Sequence, residues 1–515
     1  MDCVYCDSDN VIKNGTITLT SGKVNQKYFC KDCGSNFRNA LDEDVSIDEQ
    51  IYTHVRSDAW IKSNVLSKTK LVITSAQNNT EVNKQFLKTL KTYCSYNNAN
   101  LLIIPVKYKV FDDEPIYDDL LTDYLCSNNI DIGSYNLKIY GSFNIQPTVE
   151  NPINGLDTLS KGNNIVIGHP QVQLKTLPNL DKRVSDIITT TGSVTLANYS
   201  DTKVGEKAKF NHSFSAIVLE FDTNSFHLRH LNWDDQSKTF YDLNKLYSDN
   251  HTPVECHVNA LVTGDEHALF RDGNVEYHTY TSEHSLVSLV RPEYIVRHDI
   301  LDAYSISHHH KKNVFTQYAK WKSNICSIED ELRKTISYVN ETTPSYSTSL
   351  IVQSNHNEHL LRWLNEVDIK TEPWNAKLFH YLMYQMLEKT SMAESGASYP
   401  DPFELIATDW LNHNVKFINR SGFKINDIEI GQHGDIGING ARGSSKGFAR
   451  MPDKMIVGHS HSPSIEKGCY TVGTSSKLRL EYNKGASSWH HAHVIIHPNG
   501  KRQMIFITED GFKLK

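Results

Sequence analysis

Ile456-Val457-Gly458-His459-Ser460-His461 is a short apolar run that stops at a glycine and then presents two histidines one residue apart. Such a run predicts a buried strand. The glycine lets the backbone turn sharply, so that both imidazoles can point from the strand end into a cleft. Imidazole is the commonest metal ligand, but a single His-x-His also arises by chance in a chain with 25 histidines. A metal site at this strand end therefore requires further ligands elsewhere in the sequence.

The composition indicates an ordinary globular chain. Its 515 residues suffice for two or three domains, and 39% hydrophobic residues suit a large core. No apolar run approaches the roughly 20 residues of a membrane span, and the first residues lack the basic and apolar parts of a secretory signal. A formal net charge of -7 excludes a protein that coats nucleic acid by bulk attraction. We therefore expect a cytoplasmic protein without a membrane partner, which attracts any phosphate-rich substrate locally.

Two Cys-x-x-Cys pairs near the N-terminus predict a structural zinc site. Cys3 and Cys6 precede Cys30 and Cys33 by a spacing that lets two tight turns supply four thiolates to one tetrahedral Zn²⁺. A redox pair would need a βαβ pattern that this segment lacks. Residues 28–38 resemble the second half of zinc ribbons found in transposase-like and other DNA-associated proteins. A DNA reader and a structural or protein-docking ribbon both fit this segment.

Residues 66–250 show an α/β pattern. Apolar strands at 71–74 and 101–105 flank a helical pattern, which predicts a βαβ-like unit, and further strands are expected at 164–167 and 215–221. No glycine-rich phosphate loop follows the first strand, so nucleotide binding is not indicated. We divide the chain into a zinc ribbon (1–40), a linker with a helix (41–65), an α/β segment packed on or merged with the core (66–250), and a catalytic core (251–515).

Five strand-like runs beyond residue 250 end in Asp, Asn or His. The polar residues that follow them are Asp265 and His267, then Asp299 and Asp302, Asn355 and His356, His433, and finally His459 and His461. Together they provide two metal sites that share one carboxylate. A shared carboxylate holds two divalent ions roughly 3.5–4 Å apart, where they activate water and neutralise phosphoryl oxygens. Mixed nitrogen and oxygen ligands suit Mn²⁺, Fe or Zn²⁺ rather than Ca²⁺.

In this order the five motifs resemble those of the calcineurin-like metallophosphoesterases, including the repair-type nucleases of that superfamily, over residues 255–515. The resemblance implies an α/β fold, a four-layer α+β sandwich of mixed β-sheets flanked by helices. It also implies two ligand sets: Asp265, His267, Asp299 and His461 for one metal, and Asp299, Asn355, His433 and His459 for the other. His356 would then be the catalytic acid that protonates the leaving oxygen or stabilises the transition state.

Three positions depart from the family pattern. His298 stands where a glycine usually precedes the bridging Asp, and Ser354 stands where a glycine usually precedes Asn-His. Asn357 replaces the usual acid after the catalytic histidine, which leaves Glu358 or no residue to orient it. These changes concern the geometry of the loops more than the ligand types.

Two further segments are candidates for substrate contact. Residues 440–450 contain three cations and three glycines between two of the ligand motifs, which favours contact of Arg442 and Lys446 with a phosphodiester backbone over an ordinary surface loop. His308-His309-His310, followed by two lysines, is either a substrate-contact cluster that includes His309 or a solvated basic turn. Asp302 either orients a ligand histidine or caps a helix.

These expectations favour a metal-dependent phosphodiesterase that hydrolyses DNA. It would use two divalent ions, Mn²⁺ before Fe, Zn²⁺ or Mg²⁺, and one structural Zn²⁺. The ribbon and the basic loop favour DNA over small phosphate esters, and the fusion looks like phage-encoded members that degrade host DNA. Two alternatives stay open: a phosphoprotein or small-molecule phosphatase with a docking ribbon, and a non-catalytic DNA- or protein-binding factor. A homo-oligomer is also left open.

Overall fold

The computed structural model describes residues 8–18, 24–34, 36–38, 54–109, 115–143, 145–180, 184–249, 251–394, 396–481 and 483–514. The strands before residue 250 are β1 (Val11–Thr18), β2 (Val24–Cys30), β3 (Asn36–Arg38), β4 (Lys70–Gln77), β5 (Asn100–Val106), β6 (Asn129–Ile132), β7 (Leu137–Tyr140), β8 (Asn164–Ile167), β9 (Gln173–Thr176), β10 (Ile187–Thr190), β11 (Ser215–Phe221), β12 (Phe226–Asn232), β13 (Phe240–Asp242) and β14 (Lys245–Tyr247).

The strands after residue 250 are β15 (Val254–Glu255), β16 (Ala260–Val262), β17 (Tyr294–Arg297), β18 (Thr348–Val352), β19 (Ser391–Ala393), β20 (Gly396–Ser398), β21 (Val415–Ile418), β22 (Lys424–Ile425), β23 (Ile428–Glu429), β24 (Lys454–Val457), β25 (Ser464–Glu466), β26 (Cys469–Thr471), β27 (Ala492–Ile496) and β28 (Arg502–Phe506).

The helices are α1 (Asp58–Asn64), α2 (Lys84–Tyr96), α3 (Lys203–Asn211), α4 (Gly273–Glu276), α5 (Leu286–Val290), α6 (Val314–Lys322), α7 (Ile328–Glu341), α8 (Asn355–Glu366), α9 (Ala376–Lys389), α10 (Pro402–Ala407) and α11 (Ser445–Phe448). A π-turn follows α4 at Tyr277–Thr281, and short 3₁₀ turns lie at Asp119–Leu121, Gly133–Tyr135, Asp157–Leu159, His308–His310, Ile369–Thr371, Pro373–Asn375 and Ile438–Gly440. Within the described ranges, no helix combines the length and the apolar character needed to cross a bilayer.

A six-stranded sheet carries the first three ligand motifs. Its order is β21-β18-β17-β16-β27-β28, in which β21, β18, β17 and β16 run parallel, β27 runs antiparallel to them, and β28 runs antiparallel to β27. Parallel neighbours end at the same edge of a sheet, and ligands bind at the carboxyl ends of such strands. The loops that follow β16, β17 and β18 therefore start side by side.

A ten-stranded sheet carries the other two motifs, at the ends of β23 and β24. Its order is β22-β23-β24-β26-β25-β9-β10-β8-β7-β6. Strands β25 and β9 pair antiparallel, with Ile465 opposite Leu174, so residues from both sides of position 250 belong to one sheet. Backbone hydrogen bonds therefore join the α/β segment to the core, while the domain boundaries themselves stay a prediction.

The main apolar core lies between these sheets. Val262, Val296 and Val352 of the six-stranded sheet belong to the same buried cluster as Ile428 and Ile456 of the ten-stranded sheet. Helices α7, α8, α9 and α10 bury a second cluster with Ile351. Strands covered on both faces require continuous apolar sequences, which the runs before the ligand motifs have. The chain is of the mixed α/β class, as the sequence predicts.

Several local predictions are confirmed. Strands β4 and β5 are parallel and joined by α2, whose buried face consists of Phe86, Leu87, Thr89, Leu90, Tyr93 and Cys94. Strands β8 and β11 have the predicted bounds. Strands β1, β2 and β3 form a small antiparallel sheet in which Cys30 is buried. Cys3, Cys6 and residues 39–53 lie outside the described residues, so the zinc ribbon stays a prediction.

Several buried histidines are held in the neutral form. His493 Nδ1 accepts a hydrogen bond from the Gly264 N–H at 2.9 Å, and its Nε2 lies 3.0 Å from Thr279 Oγ1. A proton on Nδ1 would break the first of these bonds. Burial lowers the pKa of His493 to about 3, and it lowers the pKa of three others, His169, His230 and His497, to about 4.

We expect acid to destabilise the folded chain. Between pH 6.5 and about 4 the unfolded chain binds protons at these four histidines and the folded protein does not, so the free energy of unfolding decreases as the pH falls. From pH 7.5 to pH 5.5 each histidine should remove about 1.4 kcal/mol. Urea unfolding followed by circular dichroism at both pH values measures the loss.

His493→Gln isolates one histidine, because a glutamine amide can accept from one partner and donate to the other without titrating. The variant should lose about 1.4 kcal/mol less than the wild type over the same pH interval. An identical pH dependence in the two proteins would contradict this account.

Candidate metal centre

Four buried side chains from three strand ends meet in one cluster. They are the residues implied for the first metal: Asp265, His267, Asp299 and His461, each with one ligand atom within 4.8 Å of the others. His461 Nε2 lies 2.9 Å from Asp265 Oδ2 and 3.1 Å from His267 Nε2, which is 3.7 Å from Asp299 Oδ2. Bonds of about 2.1 Å at right angles place two donors about 3.0 Å apart around one ion. The cluster could therefore hold a metal ion.

The residues implied for the second metal adjoin the same carboxylate. His433 Nε2 lies 3.5 Å from Asp299 Oδ2, and the rings of His433 and His459 are 5.3 Å apart between centroids. Asn355 begins α8 directly after β18, the neighbour of β17. Asp299 thus contacts histidines from both implied ligand sets.

Unpaired oxygens face this region. Asp265 Oδ1, Asp299 Oδ1 and Asn355 Oδ1 are buried and have no hydrogen-bond partner among the described residues. Buried polar atoms are normally paired, and leaving one unpaired costs about 1–3 kcal/mol. Oxygens of this kind beside imidazole nitrogens are the donor set of a divalent cation such as Mn²⁺. The residues present therefore fit the implied metal.

The backbone is strained at four of the implied ligands. The φ angles of His267, Asp299, His459 and His461 are 42°, 50°, 69° and 56°. A residue with a β-carbon in this left-handed region costs of order 1–3 kcal/mol, and such residues cluster at functional sites. Here the unusual conformation occurs in the turns that follow β16, β17 and β24.

The two buried carboxylates are ionised. Burial opposes ionisation of Asp265, but the charge of His433 and the hydrogen bond to His461 lower its pKa to about 2. Burial likewise opposes ionisation of Asp299, but the charges of His356 and His433 hold its pKa well below the usual range. Buried charge requires a partner of opposite sign. These two carboxylates therefore favour positive charge beside them.

Protonated histidines supply part of that positive charge. Burial opposes protonation of His267, but its hydrogen bond to Asp302 and the charge of Asp299 raise its pKa to about 9. The pKa of His433 is also raised, because Asp299 and Asp265 outweigh burial. A metal would replace these protons, since histidine must lose its proton to bind one.

Asp302 orients His267, one of the implied ligands, rather than capping a helix. Its carboxylate accepts from His267 Nδ1 at 3.1 Å and from the Leu269 N–H at 2.9 Å. The bond fixes the ring so that His267 Nε2 faces the cluster, as outer carboxylates do at metal sites.

The catalytic candidate His356 is oriented by a backbone carbonyl. Its Nδ1 donates to the Asp302 carbonyl at 3.0 Å, and its Nε2 lies 3.8 Å from Asp299 Oδ2. Glu358 instead pairs with Arg420 at 3.4 Å, and the Asn357 amide donates to Asp401. The expectation that Glu358 or no residue orients His356 was wrong, because the carbonyl of a distant loop takes that role.

Sequence reasoning missed two histidines. His298 Nδ1 lies 3.4 Å from His433 Nδ1, and Asp265, His298 and His433 form a second group that could hold a metal. His359 stacks on His356, with ring centroids 4.9 Å apart and 26° between the planes. The three-residue spacing of His356 and His359, which places both on one helix face, was the available signal.

The predicted substrate residues lie at the surface. Arg442 and Lys446 are exposed, and neither is joined to the metal ligands by a hydrogen bond or ion pair within the part of the chain that the structure describes. Within their segment, the Gly443 N–H donates at 3.0 Å to the carbonyl of Asp435, which lies two residues after His433. The exposed ring of His309 lies 6.4 Å from that of His359. Contact of these residues with a substrate stays a prediction.

Comparison with known proteins finds a relative over most of the chain. The chain is 32% identical over 467 residues to Protein A1 of Escherichia phage T5, an alignment that covers 86% of this chain and 82% of that protein. The chain belongs to the Protein A1 family. No family model and no solved structure matches it. The expectation of a phage-encoded protein agrees with this relative, whose name says nothing of an activity.

Gly458 is required at the end of β24. A β-carbon there would lie 2.2 Å from Asp265 Oδ1 and 3.1 Å from the His298 ring. We expect Gly458→Ala to weaken Mn²⁺ binding at least tenfold, because it displaces a ligand carboxylate. The rise in thermal midpoint on addition of Mn²⁺ measures binding.

Gly273→Ala is the matched control, since a β-carbon at that position meets no atom within 4 Å. It should gain the same stabilisation from Mn²⁺ as the wild type. Wild-type Mn²⁺ affinity in Gly458→Ala would count against the cluster as the metal site.

Proposed function

We propose that this protein is a metallophosphoesterase that hydrolyses DNA phosphodiesters with two divalent metal ions. The observation that carries the proposal is the convergence of the predicted ligand motifs, of which Asp265 and His461 are 196 positions apart in the chain, around the buried carboxylate of Asp299. The unpaired buried oxygens of Asp265, Asp299 and Asn355 support the same interpretation, and so does the left-handed backbone at four of the implied ligands.

Two divalent ions bound there would neutralise phosphoryl oxygens and lower the pKa of a water molecule. Asp299 lies between the two histidine groups and would help to hold both ions. His356 can deliver a proton only from Nε2, because Nδ1 is committed to the Asp302 carbonyl. The His356 side chain is 17% exposed, so a leaving oxygen can reach it. These two features support a general-acid role for His356.

A nucleic acid substrate is supported by three features. The predicted zinc ribbon resembles those of DNA-associated proteins, the glycine-rich basic segment 440–450 is hydrogen-bonded to Asp435, two residues after His433, and the Protein A1 relative belongs to a phage. Hydrolysis of a small phosphate ester would need neither the ribbon nor the basic segment. We therefore favour DNA over a phosphoprotein or small-molecule substrate.

Purified protein should degrade linear or circular DNA when Mn²⁺ or Mg²⁺ is added. His356→Ala should lower turnover by about 10²- to 10⁴-fold, the usual worth of a general acid, and keep its metal content. Asp299→Asn should lose both activity and metal. Agarose gels measure degradation, and plasma mass spectrometry measures bound metal.

His380→Ala, which removes an exposed histidine on α9, is the control and should behave as the wild type. Hydrolysis of monoesters with intact DNA would replace the nuclease by a phosphatase. Full activity in His356→Ala would remove that residue from the mechanism.

A further inference from the structure

Helix α6 presents an uncovered row of aromatic side chains. Phe315, Tyr318 and Trp321 are 87%, 61% and 67% exposed, and the rings of Tyr318 and Trp321 lie 5.6 Å apart. The three residues are spaced by three, so they follow one another along one side of the helix at a rise of about 4.5 Å. Lys320, by contrast, is 2% exposed. Contiguous exposed rings mark an interaction site.

The same segment is basic in an acidic protein. Residues 303–328 contain four lysines and no Asp or Glu, although the chain has a formal net charge of -7. Lys311, Lys312 and Lys322 are exposed beside the aromatic row. The charge of this surface is complementary to a polyanion.

The helix is fixed beside the candidate metal centre. Lys320 Nζ donates to the Tyr304 carbonyl at 2.5 Å, and Gln317 Nε2 donates to the His310 carbonyl at 3.1 Å. The ring of His359 stacks on that of the catalytic candidate His356, and the ring of His308 lies 5.4 Å from that of His359 between centroids. His308 begins the turn that immediately precedes Lys311 and α6. A strand lying on α6 would therefore run toward the metal centre.

We propose that α6 is a platform for a single-stranded segment of nucleic acid. Its bases stack on Phe315, Tyr318 and Trp321, and its phosphates face the three exposed lysines. Unpaired bases offer the flat faces that aromatic side chains bind, whereas a duplex hides them. The inference rests on the proposed function, since it names the form in which DNA approaches the site.

A second copy of the chain fits this surface less well. In a two-fold symmetric contact the same patch meets itself, which would place Lys311, Lys312 and Lys322 against three identical lysines. Like charges repel, so the charge of these lysines favours the polyanion.

Fluorescence anisotropy with a labelled 20-nucleotide oligothymidylate, without added divalent metal, tests the proposal on the full chain. Phe315→Ala, Tyr318→Ala and Trp321→Ala should each weaken binding at least about fivefold. Phe210→Ala removes an equally exposed ring on α3, 89% exposed, and should leave affinity unchanged. Lys311→Gln with Lys312→Gln should reduce the salt dependence of binding, with a slope smaller by about 0.7 for each lost phosphate contact.

A small phosphodiester, bis(p-nitrophenyl) phosphate, separates this inference from the proposed function. The triple aromatic variant should hydrolyse it at the wild-type rate in Mn²⁺. If the wild type fails to hydrolyse it or DNA, the proposed function fails while oligothymidylate binding still tests α6.

Unchanged oligothymidylate affinity in the triple variant would overturn the platform. If the triple variant keeps its oligothymidylate affinity but no longer binds anionic phosphatidylglycerol vesicles to which the wild type binds, α6 would instead contact a membrane surface. If the triple variant keeps its oligothymidylate affinity but elutes as a smaller species than the wild type in gel filtration, α6 would instead mediate contact between copies of this chain.

Discussion

Two buried carboxylates impose the constraint on which the rest of the site depends. Asp265 and Asp299 are 0% and 3% exposed and both are ionised, so the fold must place positive charge around them. In the metal-free chain, protonated His267 meets part of that demand, and the same two carboxylates raise the pKa of His433. Divalent ions would meet it more fully and would also pair the oxygens that the protein leaves unpaired.

Hydrogen bonds between the two sheets keep these groups together. The Asp265 N–H donates to the Gly473 carbonyl at 3.1 Å, and the Ser475 N–H donates to the Asp265 carbonyl at 2.8 Å. These bonds attach the end of β16 to the loop after β26, which lies in the other sheet. The His459 N–H in turn donates to Asp265 Oδ2 at 2.8 Å. One aspartate is thereby both a candidate ligand and a joint between the sheets.

Local sequence pattern was sufficient to predict the buried Asp and His cluster, but it did not predict the residues around that cluster. Each ligand follows an apolar run that ends at a turn, so the sequence could predict Asp265, Asp299 and His461 one motif at a time. The contact of His298 with His433 joins residues 135 positions apart, and no local period encodes it. Local sequence pattern does not predict the pairing of β9 with β25 either, because the pairing of strands distant in sequence depends on the packing of the whole chain.

Anomalous scattering from crystals grown with Mn²⁺ tests the central claim most directly. We expect two peaks on either side of the Asp299 carboxylate, roughly 3.5–4 Å apart, one beside His267 and the other beside His433. A single peak, or peaks that leave Asp299 without a metal neighbour, would contradict the account.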